Sequence, residues 1–304
     1  MTDASAVLVD GPWEHRLVAA NGSRFHVAVG ATTPGADDDA PWVILLHGFP
    51  QHWWAWRHQI PALARAGYRV AAMDLRGTGA SDKPPQGYGL PTLARDVAGV
   101  IRSLGAQDAV VVGQGAGGAL AWSMPALHPG VTRAVAALSA PHPLRMHSGT
   151  VARALLTTSA ARRLAFAQLP WFPERQLTHR DLTTRLLGEW GAPGWLSAEE
   201  ARVYREAAQV PFAAHSSMET LRWLVRSTPR MDGRRYLAAL RAAPAVPVLQ
   251  VHGTVDRCIP VRVARGGPGA PYRFETVVGA GHYLAEEAPE EVTALLLDWL
   301  ADLP

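Results

Sequence analysis

Short, mainly apolar runs recur along this chain: Trp42 to Leu46, Tyr68 to Met73, Ala109 to Val112, Ala134 to Leu138, Val246 to Val251 and Arg273 to Val278. A strand that is apolar throughout is buried on both faces of its sheet. Helical patterns separate the runs. Leu93, Val97, Val100, Ile101 and Leu104 share one helical face, and Gly105 follows as a stop. Pro289 opens another helix, with Glu290 and Glu291 in the first turn, where carboxylates favour the dipole. Strands alternating with helices predict a mainly parallel sheet covered on both sides. Ahead of it, Arg16 to Ala20 and Arg24 to Val29 flank Asn21-Gly22, a type I′ hairpin signal.

The alternation stops between about Pro141 and Ala245. Thr150 to Phe166, Ala198 to Ala208, Ser216 to Arg226 and Arg234 to Ala242 read as helices, among prolines and tryptophans and without a convincing strand. The expected division is a core of residues 1–140 and 246–304, with residues 141–245 inserted as a helical cap over the sheet. Thr33 to Pro41 reads as a polar loop with an acidic tip at Asp37, Asp38 and Asp39.

A chain of 304 residues, 48% hydrophobic and 18% charged, can build its core without staples. Its net charge of +3 is too even, and too free of basic runs, for a nucleic-acid surface. Cys258 is the only cysteine, so neither an intramolecular disulfide nor a cysteine metal site is available, and a reducing cytoplasm fits best. Met1 to Asp10 lacks the pattern of a signal peptide, and no apolar run reaches membrane-spanning length.

Active sites on open α/β sheets lie at the carboxyl ends of the strands. Three such ends carry histidines: His47-Gly48-Phe49-Pro50 after Leu46, His252-Gly253-Thr254-Val255-Asp256 after Val251, and Gly279-Ala280-Gly281-His282 after Val278. A fourth, Val110 to Gly118, has the outline of a strand turning sharply into a helix. In the G-x-S-x-G elbow the middle residue presents its side chain to a pocket. Here that residue is Gly115, which has none.

These motifs, with Trp53-Trp54-Ala55-Trp56-Arg57, Asp74-Leu75-Arg76-Gly77, Ser81-Asp82-Lys83-Pro84 and Gly281-His282-Tyr283, resemble the α/β-hydrolase family, within it the epoxide hydrolase and haloalkane dehalogenase branch. The resemblance spans roughly the whole chain. It implies an α/β fold, a mainly parallel eight-stranded sheet of the α/β-hydrolase type with an inserted helical cap. It also implies that Asp256 orients His282 as the base, and that the Phe49 and Ala116 N–H groups form an oxyanion hole. No cofactor or metal is implied. Branch members carry Asp at the apex, after His and often before Trp; Gln114, Gly115 and Ala116 depart at all three. The cap tyrosines of epoxide hydrolases match Leu224 and Trp171, so both are absent, and Tyr204 is the candidate substitute.

Two functions remain open. In one, His282 with Asp256 is a general base on water or on an acidic substrate proton, with Phe49 and Ala116 stabilising negative charge. In the other, the chain binds a small molecule or a protein without catalysis. The expected partner is a small apolar organic molecule, with nucleic acid and membrane excluded and a homodimer left open. Trp53, Trp54, Gln114, His142, Trp171, Tyr204 and Trp223 are the pocket candidates, Trp53 or Trp54 being reserved for the core. Ser139 and Cys258 are the nearest replacement nucleophiles; a buried, inert role is the alternative for each.

Overall fold

The structure is a computed structural model that describes residues 2–31 and 40–303. The acidic tip Asp37 to Asp39 lies outside the described residues.

The strands are β1 (Trp13–Ala20), β2 (Ser23–Gly30), β3 (Trp42–Leu46), β4 (Arg69–Met73), β5 (Ala109–Gln114), β6 (Thr132–Leu138), β7 (Val248–Gly253) and β8 (Tyr272–Val277). They form an eight-stranded sheet in the order β1-β2-β4-β3-β5-β6-β7-β8. The β1–β2 and β2–β4 pairs are antiparallel and the others parallel. Asn21 and Gly22 both have positive φ, 45° and 73°, as a type I′ hairpin requires.

Side chains alternate between the two faces of each strand. In β3, Trp42, Ile44 and Leu46 join one core cluster, while Val43 and Leu45 join the other. Helices α1 (Gln59–Arg65), α2 (Leu90–Ser103) and α3 (Ala116–Leu127) follow β3, β4 and β5. Leu93, Val97 and Ile101 of α2 pack into the first cluster, and Ile60 and Leu63 of α1 into the second. Among the strands expected from apolar runs, β8 is the exception to burial on both faces. It lies at the edge, most of its residues are half-buried, and Val278 just beyond it is 83% exposed.

Between β6 and β7 the chain is helical: α4 (Pro143–Met146), α5 (Gly149–Leu155), α6 (Ser159–Ala167), α7 (Phe172–His179), α8 (Leu182–Trp190), α9 (Ala198–Gln209), α10 (Ala213–Arg226) and α11 (Met231–Arg241). The single helix expected over Thr150 to Phe166 is two. Thr157 and Thr158 hydroxyls bond back to the carbonyls of Ala154 and Leu155, which ends α5 there. Helices α4, α7 and α8 are additions to the expected set. After β7 come α12 (Val261–Ala264), α13 (Leu284–Glu287) and α14 (Pro289–Ala301); Val292, Leu296 and Trp299 of α14 close the second cluster.

Among the described residues no helix is long and apolar enough to cross a membrane.

Candidate active site

Strand β5 ends at Gln114, and Gly115 makes the turn into α3 with φ 55° and ψ −115°. That conformation strains any residue with a β-carbon, and glycine adopts it freely. The turn is also crowded: a β-carbon on Gly117 would lie 2.3 Å from the Leu46 carbonyl oxygen. Close packing of α3 against β3 therefore demands glycine at 117, while the backbone twist favours it at 115.

A β-carbon on Gly115 would point at His282, 3.1 Å from Nε2. His282 stands on the loop after β8, only 5% exposed, and its Nδ1–H donates to Asp256 Oδ2 at 2.9 Å. An ionised carboxylate only accepts, so this bond puts the proton on Nδ1 and leaves Nε2 free to act. Asp256 Oδ1 accepts the N–H groups of Cys258 and Ile259, each at 2.8 Å. His252, at the end of β7, lies 3.2 Å from Oδ2. Burial pushes the Asp256 carboxyl up, but the field of His282 and hydrogen bonds from His252 and His282 outweigh it. Its pKa is held well below the usual carboxylate range.

Gly115 and His282 border a cavity of 380 Å³ between the sheet and the inserted helices. Phe49 and Ala116 border it too, and among the described residues their N–H groups have no hydrogen-bond partner. The rest of the wall is largely apolar, with Leu182 and Leu186 of α8, Met218, Leu221 and Leu224 of α10 and Trp190. Its described lining contains no Asp, Glu, Ser, Thr or Lys. Tyr236 brings a hydroxyl, which is bonded to Ser123 at 2.8 Å. Cys258 brings a thiol, whose pKa burial and the Asp256 charge push well above its usual value. Among the described residues no group of three or more His, Cys, Asp or Glu side chains could hold a metal ion.

A family model described as the alpha/beta hydrolase fold matches residues 41–289. The chain belongs to that family. It is 33% identical over 333 residues to epoxide hydrolase A of Mycobacterium tuberculosis, covering 95% of this chain and 97% of that protein. It is 31% identical over 293 residues to the AB hydrolase superfamily protein YfhM of Bacillus subtilis, covering 94% and 97%. Among solved structures, an epoxide hydrolase from an endophytic Streptomyces superposes with a TM-score of 0.81 at 27% identity, covering 97% of each chain. The protein is thus an epoxide hydrolase-like alpha/beta hydrolase.

Within this hydrolase the structure brings Gly115, Ala116, Phe49, Asp256 and His282 together. The named pocket candidates fall elsewhere. Trp53 is fully buried and its indole donates to the Val7 carbonyl. Trp54 lies beneath the Arg57 guanidinium, 3.9 Å from carbon to ring centre, and edge-on to Tyr204. Gln114 bonds Gln51 at 3.0 Å and the Ala285 N–H at 2.9 Å, joining the elbow to α13. Tyr204 is buried with its hydroxyl on Glu286 at 2.7 Å, so it cannot stand in for a cap tyrosine. His142 caps α4 and packs edge-on against Trp122. Trp171 is 65% exposed, and Trp223 packs behind the wall residue Tyr236. Ser139 is fully buried and does not reach the cavity.

Residues the sequence did not single out do the lining and bracing. Trp190 packs against the His282 ring at 5.8 Å, and its carbonyl accepts the His282 N–H at 3.2 Å. The Glu287 carboxylate accepts the N–H groups of Gly281, Tyr283 and Ala192, tying the His282 loop to the end of α8. His252 was legible as a strand-end residue; its spacing of four from Asp256 was the available signal.

Proposed function

We propose that this hydrolase works without a covalent nucleophile. His282, oriented by Asp256, is the general base on water or on an acidic proton of a small, mainly apolar substrate, and the Phe49 and Ala116 N–H groups stabilise developing negative charge. The position that carries the attacking carboxylate in the epoxide hydrolase branch is Gly115. The observation that carries the reading is the pairing of an intact Asp256–His282 contact with a cavity wall that, among the described residues, is free of Asp, Glu, Ser and Thr. The Cys258 thiol is held protonated and is a poor replacement. Removing the nucleophile of a well-studied protease costs about 10⁶ in turnover, and roughly 10³ to 10⁴ over water persists from binding and the oxyanion hole. Slow turnover on that residual scale is the expectation here.

A second reading, a cytoplasmic small-molecule binder without catalysis, is favoured by one observation. The hydroxyl on the described lining, Tyr236, is already engaged by Ser123, so the described lining offers no free hydroxyl to a leaving oxygen.

Epoxide, ester and haloalkane panels on the wild type, His282→Ala and Gly115→Asp separate the two. Wild-type activity that falls about 10²- to 10⁴-fold in His282→Ala supports the base. A silent wild type with activity gained in Gly115→Asp supports the binder.

A further inference from the structure

We infer that this site takes a carboxylic acid with an apolar body, its carboxyl group seated above Gly115 between the His282 imidazole and the amide N–H groups of Phe49 and Ala116. The inference rests on the nucleophile-free reading above and names the chemical class that reading leaves open.

The space over Gly115 is the first argument. The point where a β-carbon would sit is 3.1 Å from His282 Nε2. That is close for a carbon and ordinary hydrogen-bond range for an oxygen. An oxygen supplied by a ligand therefore fits where a side chain is crowded.

The donors are the second. Two N–H groups, of the half-buried Phe49 and of Ala116, the first residue of α3, border the cavity without partners among the described residues. A helix start of this length adds a positive dipole end that favours an anion. His282 Nε2 has no hydrogen-bond partner among the described residues, and its side chain is only 6% exposed. With Nδ1–H committed to Asp256, Nε2 accepts from a protonated oxygen or, once protonated, donates to a bare one. A carboxyl group meets either case with one oxygen on the imidazole and the other on the amides. The proton is shared, and no bond is made or broken beyond it. An alcohol has a single oxygen for both jobs. A primary amide has the right shape but lacks the charge that the helix end favours.

The walls are the third. Leu155, Leu164, Leu182, Leu186, Met218 and Leu221 line the 380 Å³ chamber. The arginine on the described lining, Arg163, is already bonded to Glu189. The acid end thus belongs at His282 and the chain of carbons beneath the inserted helices.

Titration calorimetry of the full chain with octanoate, octanamide and 1-octanol tests this. Octanoate is expected to bind one site at least about tenfold tighter than either neutral analogue, the scale of a charged hydrogen bond. Gly115→Asp places a fixed carboxylate in the same spot and is expected to weaken octanoate at least about tenfold while sparing 1-octanol. Ala116→Pro removes one N–H at a helix position that tolerates proline, and keeps the test intact where Gly115→Asp fails to fold. It too is expected to weaken octanoate selectively. Equal affinity for the three compounds, no octanoate binding, or octanoate affinity unchanged in the folded variants would overturn the inference. Covalent labelling of the wild type by an epoxide, read by intact mass, would instead overturn the nucleophile-free reading beneath it.

Discussion

Gly115 combines a left-handed backbone with a neighbour at contact distance, so even a methyl group there has a price. Gly115→Ala combines φ 55° with a β-carbon 3.1 Å from Nε2. Such a backbone costs about 1–3 kcal/mol for a residue with a β-carbon, and thermal unfolding at lower temperature than the wild type is the expected outcome. Asp256→Asn removes the charge from an acceptor held by Cys258, Ile259, His252 and His282. A loss of about 1–3 kcal/mol in urea unfolding is expected from the broken set of bonds. The Asp256–His282 contact was readable because both residues follow strands whose ends must converge on one edge of the sheet. The pocket walls were not. Of Trp53 and Trp54, one was expected in the core, and that one is Trp53; but sequence gives a ring no direction, so Trp54, against Arg57 and Tyr204, and Tyr204, the candidate for a cap tyrosine, on Glu286, were not foreseen in these places.

The elbow and the His282 loop are held by different devices. At the elbow, packing decides: a β-carbon on Gly117 would meet the backbone of β3 at 2.3 Å, where nothing flexible can yield. Gly117→Ala is therefore expected to destabilise more than Gly115→Ala in the same thermal melt. At the His282 loop, Glu287 gathers N–H groups from its own loop and from Ala192 beyond α8. Glu287→Gln keeps the volume but offers a weaker acceptor. Faster amide exchange at Gly281 to Tyr283, with about 1–3 kcal/mol of local stability lost, is expected. Strands β3 to β7 were legible in their apolar runs, and the hairpin in Asn21-Gly22. The inserted helices were legible only in part. The break at Thr157-Thr158 depends on hydroxyls returning to the backbone, and α8 matters through Trp190 meeting a loop ninety residues away in sequence.

At the scale of the molecule, the fold carries imidazoles that must stay neutral. Burial lowers His52 to about 4 against the opposing field of Asp74, and burial alone lowers His142 to about 4. In the unfolded chain both titrate near 6.5. Between those values the unfolded state takes up protons that the folded state refuses. This contribution is complete above about pH 6.5 and is lost as pH falls to about 4, on the order of 3 kcal/mol for each group. Urea midpoints are expected to fall from pH 7 to pH 5, and His142→Asn, which keeps an N-cap acceptor for Leu144, is expected to flatten that slope. The measurement that bears most directly on the empty turn is intact mass after incubation with a reactive epoxide. The wild type is predicted to keep its unmodified mass, while Gly115→Asp combined with His282→Gln gains one epoxide and holds it as an ester. A wild-type adduct, on Cys258 or any other cavity residue, or on the buried Ser139 behind it, would contradict the account.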